Sequence, residues 1–373
     1  MASGSGGSSA AGKVRVAVLG AANFSKVAHI PGVNAHPQGT VVALYSRDLP
    51  RAQEMARETG VPEATDDLER LLARDDVDAV TVPSTNINHY RYTMAALKAG
   101  KHVFCEKPMA LNAEQAAEMT REAKQRGVVN QMSFIFRYTL CLQQMRRLVA
   151  EGAIGTLHYV NIEQQGYSRS NPQNATWRTN DVENRAGHLG EMGPHCFDTV
   201  NFVVGSTAGY ISQLAAVTHV IPRTVVAPDG SEQQVETLDL AACLFRTERG
   251  LGGEIITSRA TPAHSQLGGM GVVVVVGDKG ALLCNLTRGD KEVMQRTEPG
   301  GKWENVPLAP EATDGTPHAI HRMLGSFVDS VLRGGVDPQA DAGFEAGYRT
   351  QSAIDATITA GTSRRWEPVA TRI

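Results

Sequence analysis

Between Val14 and about Ala150, short apolar runs alternate with segments of helical spacing. Strands that alternate with helices predict βαβ units, and these require a parallel, doubly wound sheet with helices on both faces. The helix boundaries carry local signals, such as Asn112 before a predicted helix and Gly127 after it. We interpret five apolar runs as the main strands of this sheet: Val14–Leu19, Val41–Tyr45, Ala79–Val82, Val103–Cys105 and Val128–Phe134.

The pattern changes after Gly155, where period-two strands dominate and a largely antiparallel sheet is predicted. Val272–Val276 is apolar on both faces, so one face should cover helices and the other suggests a subunit interface. We divide the chain into a flexible tail (1–12), a first domain (13–150) and a second domain (151–373) whose final helices pack back on the first. The predicted strands are Leu157–Gln164, Gly209–Val220, Thr237–Thr247, Gly252–Thr257, Val272–Gly277 and Ala281–Asn285, and the predicted helices are Gly190–Val203, Ala319–Leu332 and Ala342–Ala360.

Composition narrows the classes of protein and partner. A chain of 373 residues suits two domains, and a net charge of −3 gives no reason to expect nucleic acid or an anionic membrane as partner. No apolar stretch approaches the ~20 residues that span a bilayer. The five cysteines are scattered without CxxC spacing, which favours reduced thiols in a cytoplasm. The Gly/Ser-rich N-terminus lacks the features of a signal peptide and is expected to be a tail.

Two stretches in the first domain point to a dinucleotide. The turn after the first strand keeps Gly20 of the G-x-G-x-x-G pattern, but Ala22 and Ser25 replace the later glycines. Ser25 could donate to a phosphate, whereas the alternative is an ordinary strand–helix turn. After the second strand, Ser46 and Arg47 favour a 2′-phosphate and therefore NADP. In the alternatives Arg47 is a surface residue, or Asp48 contacts the ribose.

The same sheet edge should receive two further loops. Pro83-Ser84-Thr85-Asn86 follows a strand and either contacts the cofactor or forms a plain turn that caps the next helix. The stretch HVFCEKP ends a buried strand in Glu106 and Lys107, and Pro108 should aim the lysine into the crevice. A surface ion pair is the alternative for these two residues.

The second domain offers one polar helix face. His188, Glu191, His195 and Asp198 are spaced by three, four and three residues, so a helix would place them on one side. This face should line a cleft. The spacing of His188, Glu191 and His195 also resembles that of metal ligands. A third possibility is a structural helix whose histidines hydrogen-bond within the protein. Pro194 and the glycines predict an irregular start of the helix.

Together these residues resemble the Gfo/Idh/MocA oxidoreductases. The resemblance runs from Val14 to about Pro368 and rests on the Gly20 turn, on AGKHVFCEKP (99–108) and on the histidine-bearing helix; PSTN (83–86) and GAIGTL (152–157) are similar to further family motifs. It implies an α/β fold with an N-terminal Rossmann domain and a C-terminal α+β domain carrying a large, mostly antiparallel open sheet. It also implies NADP or NAD and a sugar, cyclitol or polyol substrate; from the irregular start of the histidine-bearing helix we expect no metal.

The resemblance also assigns roles. Lys107 and His195 match the catalytic lysine and histidine, Glu191 stands where the family has Asp, and Asp198 matches the HxxD acid. Only Gly187 remains of the usual glycine triplet. A cis Lys107–Pro108 bond would fix the backbone. The candidate cofactor-binding residues are Gly20, Ala22, Asn23, Phe24, Ser46, Arg47, Pro83, Ser84, Asn86, His89, Glu106, Lys107 and Arg137. The candidate substrate-binding residues are Lys107, Tyr167, Trp177, Arg178, His188, Glu191, His195 and Asp198.

The expected reaction is hydride transfer between a nicotinamide and a carbinol carbon, with Lys107 and His195 on the reacting oxygen. Two rivals stay open: a redox-neutral enzyme (glycosidase, epimerase or sugar oxidoreductase) that recycles a tightly bound cofactor, and a non-catalytic sensor with the same fold. The expected assembly is a homodimer or homotetramer through the C-terminal sheet.

Overall fold

In a computed structural model of the chain, the described residues are 12–165, 184, 186–227, 229–259, 271–286, 293–296, 301–308 and 318–373. The predicted tail lies almost wholly outside them. Among the described residues, no helix is both long enough and apolar enough to cross a membrane.

The first part of the chain forms a six-stranded parallel sheet. Its strands are β1 (Val14–Leu19), β2 (Gly39–Tyr45), β3 (Ala64–Thr65), β4 (Ala79–Val82), β5 (His102–Cys105) and β6 (Asn130–Met132). They pair in the order β3-β2-β1-β4-β5-β6. The order reverses beside β1, so the carboxyl ends of β1 and β4 form the crevice in which such sheets bind ligands.

Helices connect these strands. They are α1 (Ile30–Asn34), α2 (Leu49–Thr59), α3 (Leu68–Leu72), α4 (Asn86–Lys98), α5 (Ala113–Arg126) and α6 (Leu140–Ala150), and a π-helical turn, Ser25–His29, leads directly into α1. Local sequence sets several ends. Asn112 Oδ1 accepts from the amide of Gln115 at the start of α5, and Gly127 ends that helix at φ 63°.

The second part is built on a nine-stranded sheet. Its elements are β7 (Leu157–Gln165), α7 (Gly187–Ala208), β8 (Ile211–His219), β11 (Leu240–Thr247), β12 (Gly252–Ser258), β13 (Val272–Gly277), β14 (Gly280–Asn285), β15 (Val293–Arg296), β16 (Glu304–Val306) and β17 (Glu367–Pro368), while β9 (Thr224–Val226) and β10 (Glu232–Gln234) form a separate ribbon. The order is β16-β15-β14-β13-β7-β12-β11-β8-β17. Among the described strands of this nine-stranded sheet, only β7 and β12 pair in parallel.

The last two helices, α8 (Ala319–Arg333) and α9 (Phe344–Ser363), pack against the first sheet. Phe327 on α8 meets Phe104 on β5 with ring centroids 5.5 Å apart. Asp355 on α9 accepts a hydrogen bond of 2.8 Å from the amide of Ala113. The α9 helix also packs on β8 and α7 of the second part, so it ties the two parts together.

The predicted α/β fold class is confirmed: one parallel sheet in Rossmann order is followed by a mixed, mostly antiparallel sheet. The expectation for α7 needs correction. It starts at Gly187 rather than Gly190, and it continues through Pro194 as one helix of 22 residues. Burial of its apolar side against the second sheet outweighs the helix-weakening effect of its glycines and its proline.

Candidate functional site

The turn after β1 has the close approach that a dinucleotide needs. Gly20 has φ 142°, and a Cβ there would lie 2.7 Å from the carbonyl oxygen of Pro83. Its amide donates to the carbonyl of Tyr45 at 2.9 Å, so the ends of β1, β2 and β4 meet at this residue. The geometry fits a phosphate group above the turn, because only a residue without a side chain leaves the backbone accessible.

Ser25 does not have the predicted role. Its side chain is fully buried, and its hydroxyl donates to the carbonyl of Gly20 at 2.6 Å while the amide of Ala22 points to it at 3.3 Å. Ser25 therefore closes the turn from the inside. Asn23 and Phe24 are exposed beside it, and their side chains border the turn.

At the end of β2, the side chains of Arg47 and Asp48 have different surroundings. Asp48 Oδ1 accepts from the amide of Arg51 at 3.1 Å and so caps α2. The amide of Asp48 in turn donates to Ser46 Oγ at 3.1 Å. Arg47 is exposed at the same edge. The acid is thus engaged in the fold, whereas the guanidinium faces solvent next to the cofactor crevice.

His89 links two loops instead of presenting a nitrogen to the crevice. Its Nδ1 lies 2.6 Å from the carbonyl oxygen of Pro108 and its Nε2 3.1 Å from that of Ser84. Burial lowers the pKa of His89. In the same loop, Asn86 donates to Oδ1 of Asn184 at 3.2 Å, which connects β4 to the segment before α7. Both side chains therefore connect neighbouring loops, and their predicted contact with the cofactor stays a prediction.

At the end of β5, Glu106 is buried and paired. Its Oε1 lies 3.1 Å from His29 Nε2, a residue of the π-helical turn. Burial alone would raise the pKa of Glu106, but the hydrogen bond and charge of His29 outweigh it and lower the pKa to about 2. The Lys107–Pro108 bond is cis, as predicted. Glu106 therefore points into the protein and anchors the strand end from which Lys107 emerges.

Lys107 and His195 bring the two parts of the chain together. Lys107 Nζ donates to the backbone carbonyl of Glu191 on α7 at 3.0 Å. The ring of His195, one turn further along α7, packs on Phe136 with centroids 4.8 Å apart. Burial and then the charge of Lys107 lower the pKa of His195 to about 3. His195 Nδ1 has no hydrogen-bond partner within the described part of the chain.

His188 is the second histidine with unused nitrogens. Both of its ring nitrogens are buried, and neither has a hydrogen-bond partner among the described residues. Burial, followed by the charge of Arg259, lowers its pKa to about 4. Arg259 itself is paired with the buried carboxylate of Asp239 at 2.9 Å. His188 is therefore a neutral imidazole at physiological pH, able to donate one hydrogen bond and accept another.

Asp198 and Arg137 form a buried ion pair. Arg137 Nε and one terminal nitrogen donate to the two oxygens of Asp198 at 2.8 and 2.7 Å, and the other terminal nitrogen donates to the carbonyl of Asp341 at 2.7 Å. Asp198 is 2% exposed. The described contacts of Arg137 are thus with Asp198 and Asp341, and the carboxylate of Asp198 is engaged by this pair one turn beyond His195; their predicted roles toward cofactor and substrate stay predictions.

Three predicted substrate-binding residues, Tyr167, Trp177 and Arg178, lie outside the described residues. The structure adds His29 and Asn184 to the site. The burial of His29 could have been predicted from the sequence, because His29 precedes Val33 by four residues and so lies on the same helix face as this apolar residue. Asn184 had none, since no periodic pattern surrounds it.

The Lys107 ammonium group lies close to the two neutral imidazoles of His188 and His195, and it emerges at the same sheet edge as the Gly20 turn. The metal alternative finds no support in the part of the chain that the structure describes, where no three His, Cys, Asp or Glu side chains are grouped to hold an ion. Chemically, the site can hold an oxygen atom by hydrogen bonds and exchange a proton with it.

Comparisons with known proteins give a consistent result. The family model "Oxidoreductase family, NAD-binding Rossmann fold" matches residues 14–134, and "GFO/IDH/MocA C-terminal domain" matches residues 142–283. An uncharacterized oxidoreductase of Synechocystis is 35% identical over 200 residues, which are 54% of each chain. The 1,5-anhydro-D-fructose reductase of Ensifer adhaerens is 32% identical over 205 residues, 55% of this chain and 60% of the relative.

These two alignments therefore span little more than half of the relatives' length. Likeness in structure extends further. The structure of levoglucosan dehydrogenase in complex with NADH and L-sorbose superposes with a TM-score of 0.86 at 21% identity, covering 96% of this chain and 99% of that one. At this level of identity the superposition establishes the fold.

Proposed function

The chain belongs to the Gfo/Idh/MocA oxidoreductase family, and from this premise we propose that it transfers a hydride between a nicotinamide cofactor and a carbinol carbon of a sugar, cyclitol or related polyol. The observation that carries the proposal is the contact of Lys107 with the α7 backbone beside His195. The names of the relatives support the substrate class, since one reduces 1,5-anhydro-D-fructose and a structural neighbour oxidises levoglucosan.

The cofactor would lie across the carboxyl ends of β1, β4 and β5. The turn at Gly20, with Ala22, Asn23 and Phe24, would hold the pyrophosphate, and Pro83 and Ser84 would border the nicotinamide side. When bound, the nicotinamide supplies or accepts the hydride. The protein's contribution is to fix the distance between the two reactants, and the His29–Glu106 pair stiffens the strand end on which that distance depends.

Lys107 and His195 would hydrogen-bond the reacting oxygen from two sides, and one of them would move its proton. Glu191 fixes Lys107 through its backbone carbonyl, whereas its side chain remains a candidate for contact with a neighbouring hydroxyl. His188, with both nitrogens buried and unused in the described structure, is a further candidate for a substrate hydroxyl. Tyr167, Trp177 and Arg178 stay predictions for sugar contact.

The decisive experiment follows nicotinamide absorbance with a panel of sugars and cyclitols. Lys107→Met should lower kcat by about 10²–10⁴-fold, because positioned proton transfer supplies that much. Lys98→Met, on the exposed last turn of α4, is the matched control and should keep normal turnover. Near-normal turnover by Lys107→Met with cofactor bound would refute the assignment. Turnover of sugar with no net reduction, in protein that retains its nicotinamide until denatured, would identify the redox-neutral cycle instead.

We further propose that NADP is preferred over NAD. Arg47 is exposed at the end of β2, and the acid that would have selected NAD, Asp48, is occupied as a helix cap. Arg47→Ala should raise the KM for NADP at least tenfold and leave that for NAD nearly unchanged. Arg57→Ala, at the distant end of α2, should alter neither. An equal effect on both cofactors would contradict the preference.

The open face of the nine-stranded sheet supports a homodimer or homotetramer. Strand register places Val217, Leu244, Ile256, Val272 and Val274 on this outward side. Val217 is 67% exposed and Leu244 is 54% exposed. Arg246 and Glu254 lie on the same side, and exposed apolar side chains with charged neighbours are typical of an interface between subunits.

A further inference from the structure

A second concave site lies on the far side of the Arg137–Asp198 pair from His195. It is a groove of about 600 Å³ between α5, α6, the second half of α7 and the start of α9. Arg137 forms part of its wall, but the reacting residues Lys107 and His195 do not line it. The groove is therefore separate from the cleft described above, and its size suits a small molecule.

The groove carries an excess of positive charge. Its lining contains four cations, Lys124, Arg137, Arg146 and Arg349, and two carboxylates, Asp341 and Glu345. Asp341 is buried and accepts from Tyr138, Ser330 and the amide of Asp337, so its charge is turned inward. Arg137 is neutralised by Asp198. Three cations then face one exposed carboxylate.

Arg349 is the least compensated of these cations. Its guanidinium carbon lies over the ring of Tyr210, 4.1 Å from the ring centroid. Its Nε is buried without a hydrogen-bond partner, and no ion pair to Arg349 occurs among the described residues. Burial, and then the charge of Arg137, lower its pKa even though Tyr210, Asp198 and Glu345 act in the other direction. A half-buried guanidinium in this situation leaves hydrogen-bond donors available to the groove.

Arg146 shows the same environment from the opposite wall. Its guanidinium lies over Phe202 at 4.8 Å, and its two terminal nitrogens donate to the backbone carbonyl of Gln339 and, at 2.6 Å, to the side-chain oxygen of Gln339. Burial and the charge of Arg137 lower its pKa as well. Contact with an aromatic ring restricts the motion of both guanidinium groups, which reduces the entropy lost when they bind a ligand.

We propose that this groove is a binding site for a small dianionic oxyanion of the phosphate class, either free phosphate or a phosphomonoester, held by Arg349 and Arg146 with Lys124 at the rim. The planar guanidinium fork matches two oxygens of one phosphate group. A dianion also balances the charge better than a single carboxylate would, because three cations here face only Glu345. The proposal does not depend on the reaction proposed above.

The test is calorimetric titration of the full chain, saturated with nicotinamide cofactor so that phosphate cannot bind at the Gly20 turn. Inorganic phosphate and glycerol 2-phosphate are titrated separately in chloride buffer, and the tighter of the two identifies the source of the oxyanion. Binding of one ion per chain is expected. Arg349→Met should weaken it at least tenfold while keeping the apolar contact with Tyr210, and Arg57→Met should leave it unchanged.

Should Arg349→Met fail to fold, Arg349→Lys replaces it: the charge stays but the fork is lost, and binding should weaken about three- to tenfold. Absence of heat with both ligands in the unmodified chain would overturn the proposal. Equal phosphate affinity in the Arg349 and Arg57 variants would also overturn it. The same holds if phosphate binds the cofactor-free chain but not the cofactor-saturated chain.

Discussion

Replacing Asp198 by leucine removes the carboxylate that Arg137 binds through two hydrogen bonds of 2.8 and 2.7 Å. The side chain of Arg137 is 9% exposed and that of Asp198 is 2% exposed, so solvent cannot take the place of the lost partner. Breaking a buried ion pair on one side typically costs about 3–5 kcal/mol, because the other charge is left uncompensated. We expect a loss of that size in the free energy of unfolding of Asp198→Leu.

The double variant Arg137→Met/Asp198→Leu separates this cost from simple loss of contacts. It removes both charges and keeps an apolar fill, so it should be more stable than Asp198→Leu alone. Recovery should be incomplete, since Arg137 also donates to the carbonyl of Asp341, and an unsatisfied buried carbonyl costs about 1–3 kcal/mol.

The assay is urea-induced unfolding of the cofactor-free chain, followed by circular dichroism and by fluorescence to check that both report one transition. A loss under 1 kcal/mol in Asp198→Leu would refute the reasoning. So would a double variant whose loss equals the sum of the losses in Asp198→Leu and in Arg137→Met alone. Kinetics of Asp198→Asn give an independent check. If kcat falls a hundredfold while the stability is unchanged, Asp198 acts on His195 or the substrate and not as a structural clamp.

Three further outcomes are expected. Gly20→Ala should weaken cofactor binding at least tenfold in a fluorescence titration, because its Cβ would collide with a neighbouring carbonyl, whereas Gly60→Ala, also at positive φ but with open space, should keep the affinity. The pKa of Glu106 is about 2 when folded against an ordinary 4.5, so its carboxylate stabilises the fold fully above pH 4.5 by roughly 3 kcal/mol and loses this as pH falls toward 2; unfolding of wild type and Glu106→Gln from pH 6 to 3 should therefore converge. Leu244→Arg should reduce the assembly size measured by light scattering and Val226→Arg, on the separate two-stranded ribbon, should not; equal masses for all three proteins would exclude the sheet face as the interface.

Elements with strong local signals are predictable from this sequence. The bounds of β1, β4 and β13 agree with the predicted runs. Each is a short, mainly apolar stretch that is followed by polar, proline or glycine residues. The ends of α5 follow from Asn112 and Gly127 for the same reason. Helix caps and short apolar strands are determined by residues that are adjacent in the chain, so the sequence alone is enough to predict them.

Elements that depend on distant partners were missed. The ribbon of β9 and β10 and the outer strand β16 are short and mostly polar, so only pairing with another strand makes them regular. In the same way α7 tolerates Pro194 because its apolar side is buried on the second sheet, which no local propensity reports.

The site obeys the same division. Ser25 and Asp198 looked available for ligands, but each has a partner in the fold, and the partner of Asp198 lies 61 residues away. Asp48 could have been assigned as a cap from its place before Pro50, since that signal is local. Within the part of the chain that the structure describes, His188 keeps both ring nitrogens and His195 keeps Nδ1 without an internal partner, while Lys107 donates to a single backbone carbonyl. We expect substrate binding to use these atoms first, because a side chain whose hydrogen bonds are all used within the fold has nothing left to offer a substrate.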